Sequence, residues 1–424
     1  MVFDNLTDDE KAYWLNYLVR MEGLHGQTVP QKEHLAIDNG ISARRIALIE
    51  EANLFYKNIY TKIKDELYPL VAKETLLTKE VQSFSYESAT PFSFGYLIRD
   101  WGHNSTYDQY GIIHSFLEEK LQAMNVSAAP SALFLGCGTG RYAVDLAYRY
   151  NQVDAFDASL FMIWSINHLK KVRTWEVVQK VLRNCRTIED TIQRVTLKMT
   201  EEQVRTIDEK VNFFIAQASN IPLDQGAINH IYSIYFTDVL PLNVLFGELD
   251  RLLAANGLFI HFGPLEYFFN TELEMLSAEE VALFFQKKGY RILANEFLAT
   301  RHLFNPNSMR YRMYDNWFFV AQKGDAQARL TLSDVLVVNN AVELRVTRRA
   351  KDGKCMEASY AASFHQKAYD LPEIIYELML KIDGKTTLEQ ILWQLEISDI
   401  IEEEKEQLLA ILQELLESNF IALK

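Results

Sequence analysis

The stretch Ala132-Leu-Phe-Leu-Gly-Cys-Gly-Thr-Gly-Arg141 decides how this chain is read. Its apolar half predicts a buried strand over Ala132–Gly136. The strand runs into Gly136-x-Gly138-x-Gly140, and a helical pattern follows from Tyr142 to Tyr150. Glycines at a strand-to-helix turn let the backbone pass close against a nucleotide-like ligand. A second strand, Val153-Asp-Ala-Phe-Asp157, ends in a carboxylate. An acid there suits a ribose diol, because it accepts from both hydroxyls. Taken alone, the turn also fits a dinucleotide fold or a loop that is merely tight.

Working outward, strand and helix patterns alternate. Further strands are predicted over Asn212–Gln217, His230–Phe236 and Leu258–Gly263, with helices between them. Such alternation predicts a parallel sheet with helices on both faces. Tyr290–Thr300 and Asn316–Gln322 complete it as an antiparallel pair. Between the second and third strands, about residues 168–210 are charged and free of Gly and Pro. This segment is expected to be a solvated helical cap.

Residues 1–125 read as helical. Thr7-Asp-Asp-Glu10 has the form of a capping box before a face carrying Tyr13, Trp14, Tyr17 and Leu18. Helical spacing continues from Ile41 to Leu76, Pro91 interrupts it, and another helix runs through Leu121. Past Gly324 the pattern restarts. Val335-Leu-Val-Val and Val342–Thr347 flank Asn339-Asn340, which predicts a small hairpin. Three amphipathic helices follow over Leu371–Ile382, Thr387–Leu395 and Glu402–Asn419. The middle one starts at Asp383-Gly-Lys-Thr-Thr-Leu-Glu389, a turn plus a capping box. The expected division is therefore a helical region at 1–125, an α/β domain at 126–325 and a winged-helix-like module at 330–424.

A chain of 424 residues with 49% hydrophobic content supports two or three such units. The net charge of -14 argues against a general nucleic-acid or anionic-membrane binder, whose affinity rests on Lys and Arg. Cys137, Cys185 and Cys355 form no CxxC pair, so no zinc knuckle or disulfide framework is indicated. The acidic start and the lack of long apolar runs fit a cytoplasmic protein with no membrane segment.

Cys137-Gly-Thr-Gly140 resembles the form common in S-adenosyl-L-methionine (SAM) methyltransferases. Their seven-stranded, Rossmann-like class I sheet matches the pattern above. Methyl transfer asks mainly for in-line alignment, and for a group to hold any proton on the nucleophile. The place for both is the carboxyl edge of the sheet. There, Asp238 follows Ile234-Tyr-Phe-Thr and reads either as a substrate anchor or as a helix cap. His261 reads more readily as a satisfied core group than as a substrate contact.

Several segments together resemble the carnosine N-methyltransferase family over about residues 90–323. They are Arg99-Asp-Trp101, Tyr110-Gly-Ile-Ile113, Asp157-Ala-Ser-Leu-Phe-Met162 through Asn167, Phe236-Thr-Asp238, Phe262-Gly-Pro-Leu-Glu-Tyr267, and Asn305 through Tyr314. The resemblance implies N-methylation of an imidazole in a histidine-containing acceptor. Asp238 would hold the ring N–H, with Tyr267 and Tyr314 lining the pocket. Gly136, Gly138, Gly140, Arg141, Asp157 and Ala158 would bind SAM, and Arg99 and Trp101 would close over it. Gln217 and Ser219 take the adenine side, where an acid is more common. Phe134 stands where most such enzymes carry an acid, and Arg141 is the candidate to reach the methionine carboxylate instead. No metal is implied.

Tyr369-Asp-Leu-Pro through Ile382-Asp-Gly-Lys-Thr386 resembles the helix-turn of PqqD-like proteins, over about residues 330–424. That resemblance implies recruitment of a leader peptide as an added strand. Two alternatives stand beside a peptide-histidine methyltransferase. One is a small-molecule methyltransferase whose C-terminal module is structural; the other is a non-catalytic SAM- or peptide-binding protein.

Overall fold

In strand β1 (Ala129–Leu135) the run from Ala132 to Leu135 is apolar without a break because both of its faces are covered. Leu133 and Leu135 pack with Leu245 and Leu249 on one side. Ala132 and Phe134 pack with Ile113, Leu117 and Leu146 on the other. The computed structural model describes residues 3, 6–26, 40–71, 94–103, 107–124, 126, 129–324, 330, 332–351, 354–364, 367–395, 397, 402–418 and 420–424. The proposed break at Pro91 lies outside them.

Around β1 the sheet is assembled from β2 (Tyr150–Asp157), β5 (Val211–Ile215), β6 (Ile228–Ile234), β7 (Leu253–Gly263), β8 (Arg291–His302) and β9 (Arg312–Gln322), with β3 (Thr174–Lys180) and β4 (Ile192–Lys198) intervening in the chain. Its order is β5-β2-β1-β6-β7-β9-β8. All pairings are parallel except those of β9 with β7 and β8. This is the Rossmann-like class I methyltransferase sheet expected from the alternation. Its order reverses beside β1, so the carboxyl ends of β1, β2 and β6 form a crevice.

The segment expected as a solvated helical cap is mostly a β-hairpin. β3 pairs antiparallel with β4, and α-helix is confined to the segment's two ends, the tail of Leu160–Val172 and Glu201–Lys210. Trp175, Val177 and Leu197 carry one face of the hairpin into the main core, while Glu176, Arg194 and Thr196 alternate with them. The period of two is that of a half-buried strand, and packing of its apolar face decides the outcome.

Helices Asp8–Gly26, Ala43–Leu67, Phe94–Trp101 and Gln109–Ala123 precede the sheet. The first is capped as expected: Thr7 Oγ1 accepts from the Glu10 N–H at 3.2 Å, and Glu10 accepts from the Thr7 N–H at 2.9 Å.

Beyond the sheet, Leu330, Leu336, Leu378, Leu388, Leu412 and Phe420 belong to a core cluster of their own. The hairpin expected across Asn339-Asn340 does not form. β10 (Leu336–Val338) pairs instead with β14 (Ile421–Leu423), while β11 (Glu343–Lys351), β12 (Lys354–Phe364) and β13 (Lys367–Leu371) make a separate antiparallel sheet. The turn is present, with Val342 N–H on the Asn339 carbonyl at 3.0 Å. The returning C-terminus supplies β10 with a closer partner. Helices Glu373–Lys381, Leu388–Gln394 and Glu402–Glu417 follow the strands, and the capping box of the middle one falls one residue later than read, on Thr387 and Gln390. Among the described residues, no helix is long and apolar enough to cross a membrane.

Candidate active site

Gly136, Gly138 and Gly140 all have positive φ, at 50°, 53° and 71°. Their roles differ. A Cβ on Gly136 would lie 2.0 Å from Phe236 Cδ2, and one on Gly140 would lie 2.6 Å from Phe213 Cε1. One on Gly138 would meet nothing nearer than the Gly136 carbonyl at 4.0 Å. The outer glycines thus seat the turn against aromatic rings, and the middle one opens a cradle.

Asp157, at the end of β2, reaches across to this turn. Its Oδ2 accepts from the Gly138 N–H at 2.9 Å and its Oδ1 from the Ser159 N–H at 2.7 Å. Burial raises its pKa, and the two N–H groups oppose that rise. Each oxygen retains a lone-pair site for a ribose hydroxyl. Ala158 follows it, packed against the core. Gln217 and Ser219 lie in the tight turn after β5, half-buried, with the Asn220 N–H on the Gln217 carbonyl at 3.1 Å.

Above the cradle sits Phe94–Trp101. The Trp101 indole donates to the Thr139 carbonyl at 3.0 Å. Asp100, only 2% exposed at its side chain, accepts from Arg99 Nε at 2.5 Å and Nη2 at 2.8 Å, and from the Thr139 hydroxyl. Arg99 lies near the rings of Tyr96 and Tyr235, at 5.3 and 5.4 Å from their centroids. Its Nη1 is buried without a partner. An unsatisfied cationic donor tied to the glycine turn fits the carboxylate of an amino-acid-like ligand. Arg141 fits that task less well. Its Nε is bonded to Asp145 at 2.6 Å, its Nη1 to the Asp100 carbonyl at 3.1 Å, and it stacks 4.7 Å from both the Trp101 and Tyr110 rings. Phe134, where an acid is commoner, lies stacked on Tyr232 at 4.4 Å inside the core. Cradle, ribose-side acid and unsatisfied guanidinium together suit SAM.

The second turn follows β6. Asp238 is 2% exposed. Its Oδ2 accepts from the Glu266 N–H at 2.8 Å, whereas its Oδ1 is buried with no partner. Burial pushes its carboxyl pKa up, against the pull of that N–H. Flanking Tyr235 and Tyr267 both hold positive φ, 58° and 48°, an unusual backbone for non-glycine residues that marks functional turns. Phe236 ties this turn to Gly136.

Tyr314 donates to Glu266 Oε2 at 2.5 Å and packs at a tilt against His302, with ring centroids 4.6 Å apart. His302 also meets Tyr235 at 5.4 Å, and its Nδ1 is buried without a partner. Burial, then the charges of Arg99 and Arg312, lowers its pKa to about 3. Tyr267, expected to line the pocket, has its OH committed to the Leu276 carbonyl, to which it donates. Burial pushes its pKa up to about 12. His261 is the core group expected: Nδ1 meets Thr237 Oγ1 at 2.8 Å and Nε2 the Gly263 carbonyl at 3.2 Å, with burial lowering its pKa to about 4.

Sequence reading missed Asp100, Thr139, Tyr235, Glu266 and His302. Asp100 lay within a quoted motif, but nothing in spacing indicated that it anchors Arg99. His302 sits at the end of β8, and only the fold brings it against β6 and β9.

A family model described as carnosine N-methyltransferase matches residues 80–325. No curated protein matches the chain. Among solved structures, a SAM dependent methyltransferase from Aquifex aeolicus is 17% identical, covering 48% of this chain and 88% of its own, with TM-score 0.30. A putative SAM-dependent methyltransferase from Methanococcus maripaludis is 15% identical over 51% and 88%, with TM-score 0.31. The PH0226 protein from Pyrococcus horikoshii OT3 is 15% identical over 55% and 100%, with TM-score 0.36.

Proposed function

The chain belongs to the carnosine N-methyltransferase family and is a SAM-dependent methyltransferase, and from that premise we propose that its acceptor is the imidazole of a histidine-containing substrate. The observation that carries this reading is the buried, unpartnered Oδ1 of Asp238. A buried carboxylate oxygen without a donor is costly unless a ligand supplies one. A neutral imidazole does so with one N–H and leaves the lone pair of its other nitrogen free.

SAM supplies an activated methyl group on a sulfonium. The protein's part is placement. Gly138 and Asp157 hold the nucleoside side, and Arg99 takes the terminal carboxylate. Asp238 fixes the imidazole so that one nitrogen faces the methyl group. As that nitrogen forms its bond to carbon, the carbon–sulfur bond breaks and the ring becomes cationic. Asp238 stabilises that charge through the N–H it holds, and the proton then leaves to solvent. Tyr314 and His302 wall the ring, and Tyr314 is steadied by Glu266.

The C-terminal elements extend the proposal. A three-stranded sheet with edges β11 and β13, followed by three helices, supports a PqqD-like role in which a leader peptide adds a strand. Incubation with labelled SAM and histidine-containing peptides, with and without a leader segment, tests both parts by mass spectrometry. Label on a histidine ring supports the acceptor assignment, and label elsewhere refutes it. Removing residues 330–424 should abolish the leader's effect while SAM still binds. An unchanged leader effect would refute the recruitment role.

A further inference from the structure

A cleft of ≈ 220 Å³ opens beside the Asp238 constellation rather than within it. Arg99 lines it, but the glycine turn, Asp157 and Asp238 do not. Its walls are the helix Phe94–Trp101, the outer end of the β3–β4 hairpin and the loop from Leu303 to Arg310. Clefts that engulf a whole drug-sized ligand hold roughly 300–1,000 Å³, so this one suits an arm of a ligand whose remainder lies elsewhere.

The hairpin wall changes character where it meets the cleft. The face that sends Trp175, Val177 and Leu197 into the core ends in a directly opposed pair, Gln179 and Gln193. Both are half-buried and both line the cleft. Their carboxamides are not engaged by another described residue. Two adjacent free carboxamides offer donors and acceptors together, the complement of a peptide unit. The opposite wall is held against the hairpin, with the Met309 N–H on the Asn184 carbonyl at 2.8 Å.

Charge is also unbalanced. Asp108 is occupied in capping its helix through the Gly111 N–H at 3.0 Å, and the Lys180 ammonium is held by Asn53 at 2.8 Å. Arg99 is paired with Asp100 and assigned to the SAM carboxylate, so the cations lining the cleft without an acid partner among the described residues are Lys180 and, at the exposed rim, Arg310. The cleft connects to the reaction site through bonded side chains. Gln109 accepts from the Leu303 N–H at 2.8 Å and reaches the Tyr235 hydroxyl at 3.4 Å, while His302, next to Leu303, packs against Tyr314.

We propose that this cleft is a second acceptor subsite, taking the peptide units beside the methylated histidine and favouring a carboxylate among them. The proposal rests on the histidine-acceptor reading above. Calorimetry on the full chain, saturated with S-adenosylhomocysteine, tests it with two capped tripeptides, Ala-His-Ala and Ala-His-Asp. The acidic probe should bind about threefold tighter, the size of one ion pair at an exposed rim. Arg310→Ala should erase that preference. Gln179→Ala with Gln193→Ala should weaken both probes about tenfold and raise KM more than it lowers kcat. Gln193→Glu, which keeps the side-chain length, should penalise the acidic probe more than the neutral one. Unchanged S-adenosylhomocysteine affinity reports that each variant folds.

Equal binding of the two probes to the unaltered protein, no binding of either, or variants indistinguishable from it would overturn the subsite. Histidine methylation that is insensitive to these variants removes the subsite and leaves the function. Variant-sensitive binding without methyl on histidine removes the function and leaves the subsite.

Discussion

Replacing Asp238 by Asn should raise stability and lower activity together. In the folded chain one carboxylate oxygen holds the Glu266 N–H at 2.8 Å, and the other is buried and unpartnered. Asn keeps the first bond through its carbonyl and puts a neutral NH2 where the orphan oxygen stood. A neutral unsatisfied group costs less to bury than a charged one. Relief of about 1–2 kcal/mol is the expected scale, within the usual penalty for an unsatisfied buried group. For a unit of about 200 residues, that raises Tm by roughly 2–8 °C.

The sign depends on pH in a defined way. Burial raises the folded pKa of Asp238 above its unfolded value, so the folded state binds its proton more tightly. The penalty is absent while the carboxyl is protonated in both states, and complete once the pH exceeds the folded value. The Tm gain of Asp238→Asn should therefore be present at pH 7 and vanish in acid. Activity moves the other way. Loss of a charge-assisted hydrogen bond to the acceptor, about 1.5–3 kcal/mol, lowers kcat/KM about 10- to 150-fold. Calorimetric unfolding and methyl transfer to a histidine peptide, with SAM affinity as control, measure both effects. A variant that loses stability at pH 7 and retains full turnover would refute the assignment of an orphan acceptor.

Gly138→Ala places its Cβ in open space at φ 53°, so it should fold and lose SAM affinity, whereas Gly136→Ala drives a Cβ to 2.0 Å from Phe236 and should destabilise the fold as well; titration with SAM alongside thermal melts separates them. Turnover should rise from about pH 6 to 8 and then level, since the acceptor imidazole, titrating near ~6.5 when free, must be neutral while Asp238 is ionised. A flat profile from about pH 5.5 upward, with chemistry rate-limiting, would point to an acceptor that does not titrate. Burial lowers His230 and His261 to about 4 and His302 to about 3, so the unfolded chain takes up protons first as pH falls below ~6.5. Stability should decline from about pH 6.5 toward pH 4, and His230→Phe, which also removes a bond to Tyr150 at 2.9 Å, should flatten part of that slope in acid melts.

What was legible in the sequence was whatever the chain encodes locally. Ala132 to Arg141 fixes a strand, a turn of positive-φ glycines and a helix, because apolar length and glycine spacing act over ten residues. The same holds for Asp157 at its strand end and for the Thr7 capping box. The insertion was misread because Thr174–Lys180 and Ile192–Lys198 mix charged and apolar residues. Their alternation becomes meaningful only when Trp175, Val177 and Leu197 find a core made by distant helices. β10 likewise met the C-terminal strand rather than its neighbour, a choice made by packing among residues about 85 apart.

At the site, sequence order identified Asp238, but only the fold orphaned one of its oxygens. Only the fold, too, bound Arg99 to Asp100, turned the Tyr267 hydroxyl to Leu276, and assembled His302 with Tyr235 and Tyr314. Local sequence sets which dihedral angles and periods are available. The partners of a buried polar atom are set by which elements exclude water around it, and that exclusion exists only in the packed tertiary structure.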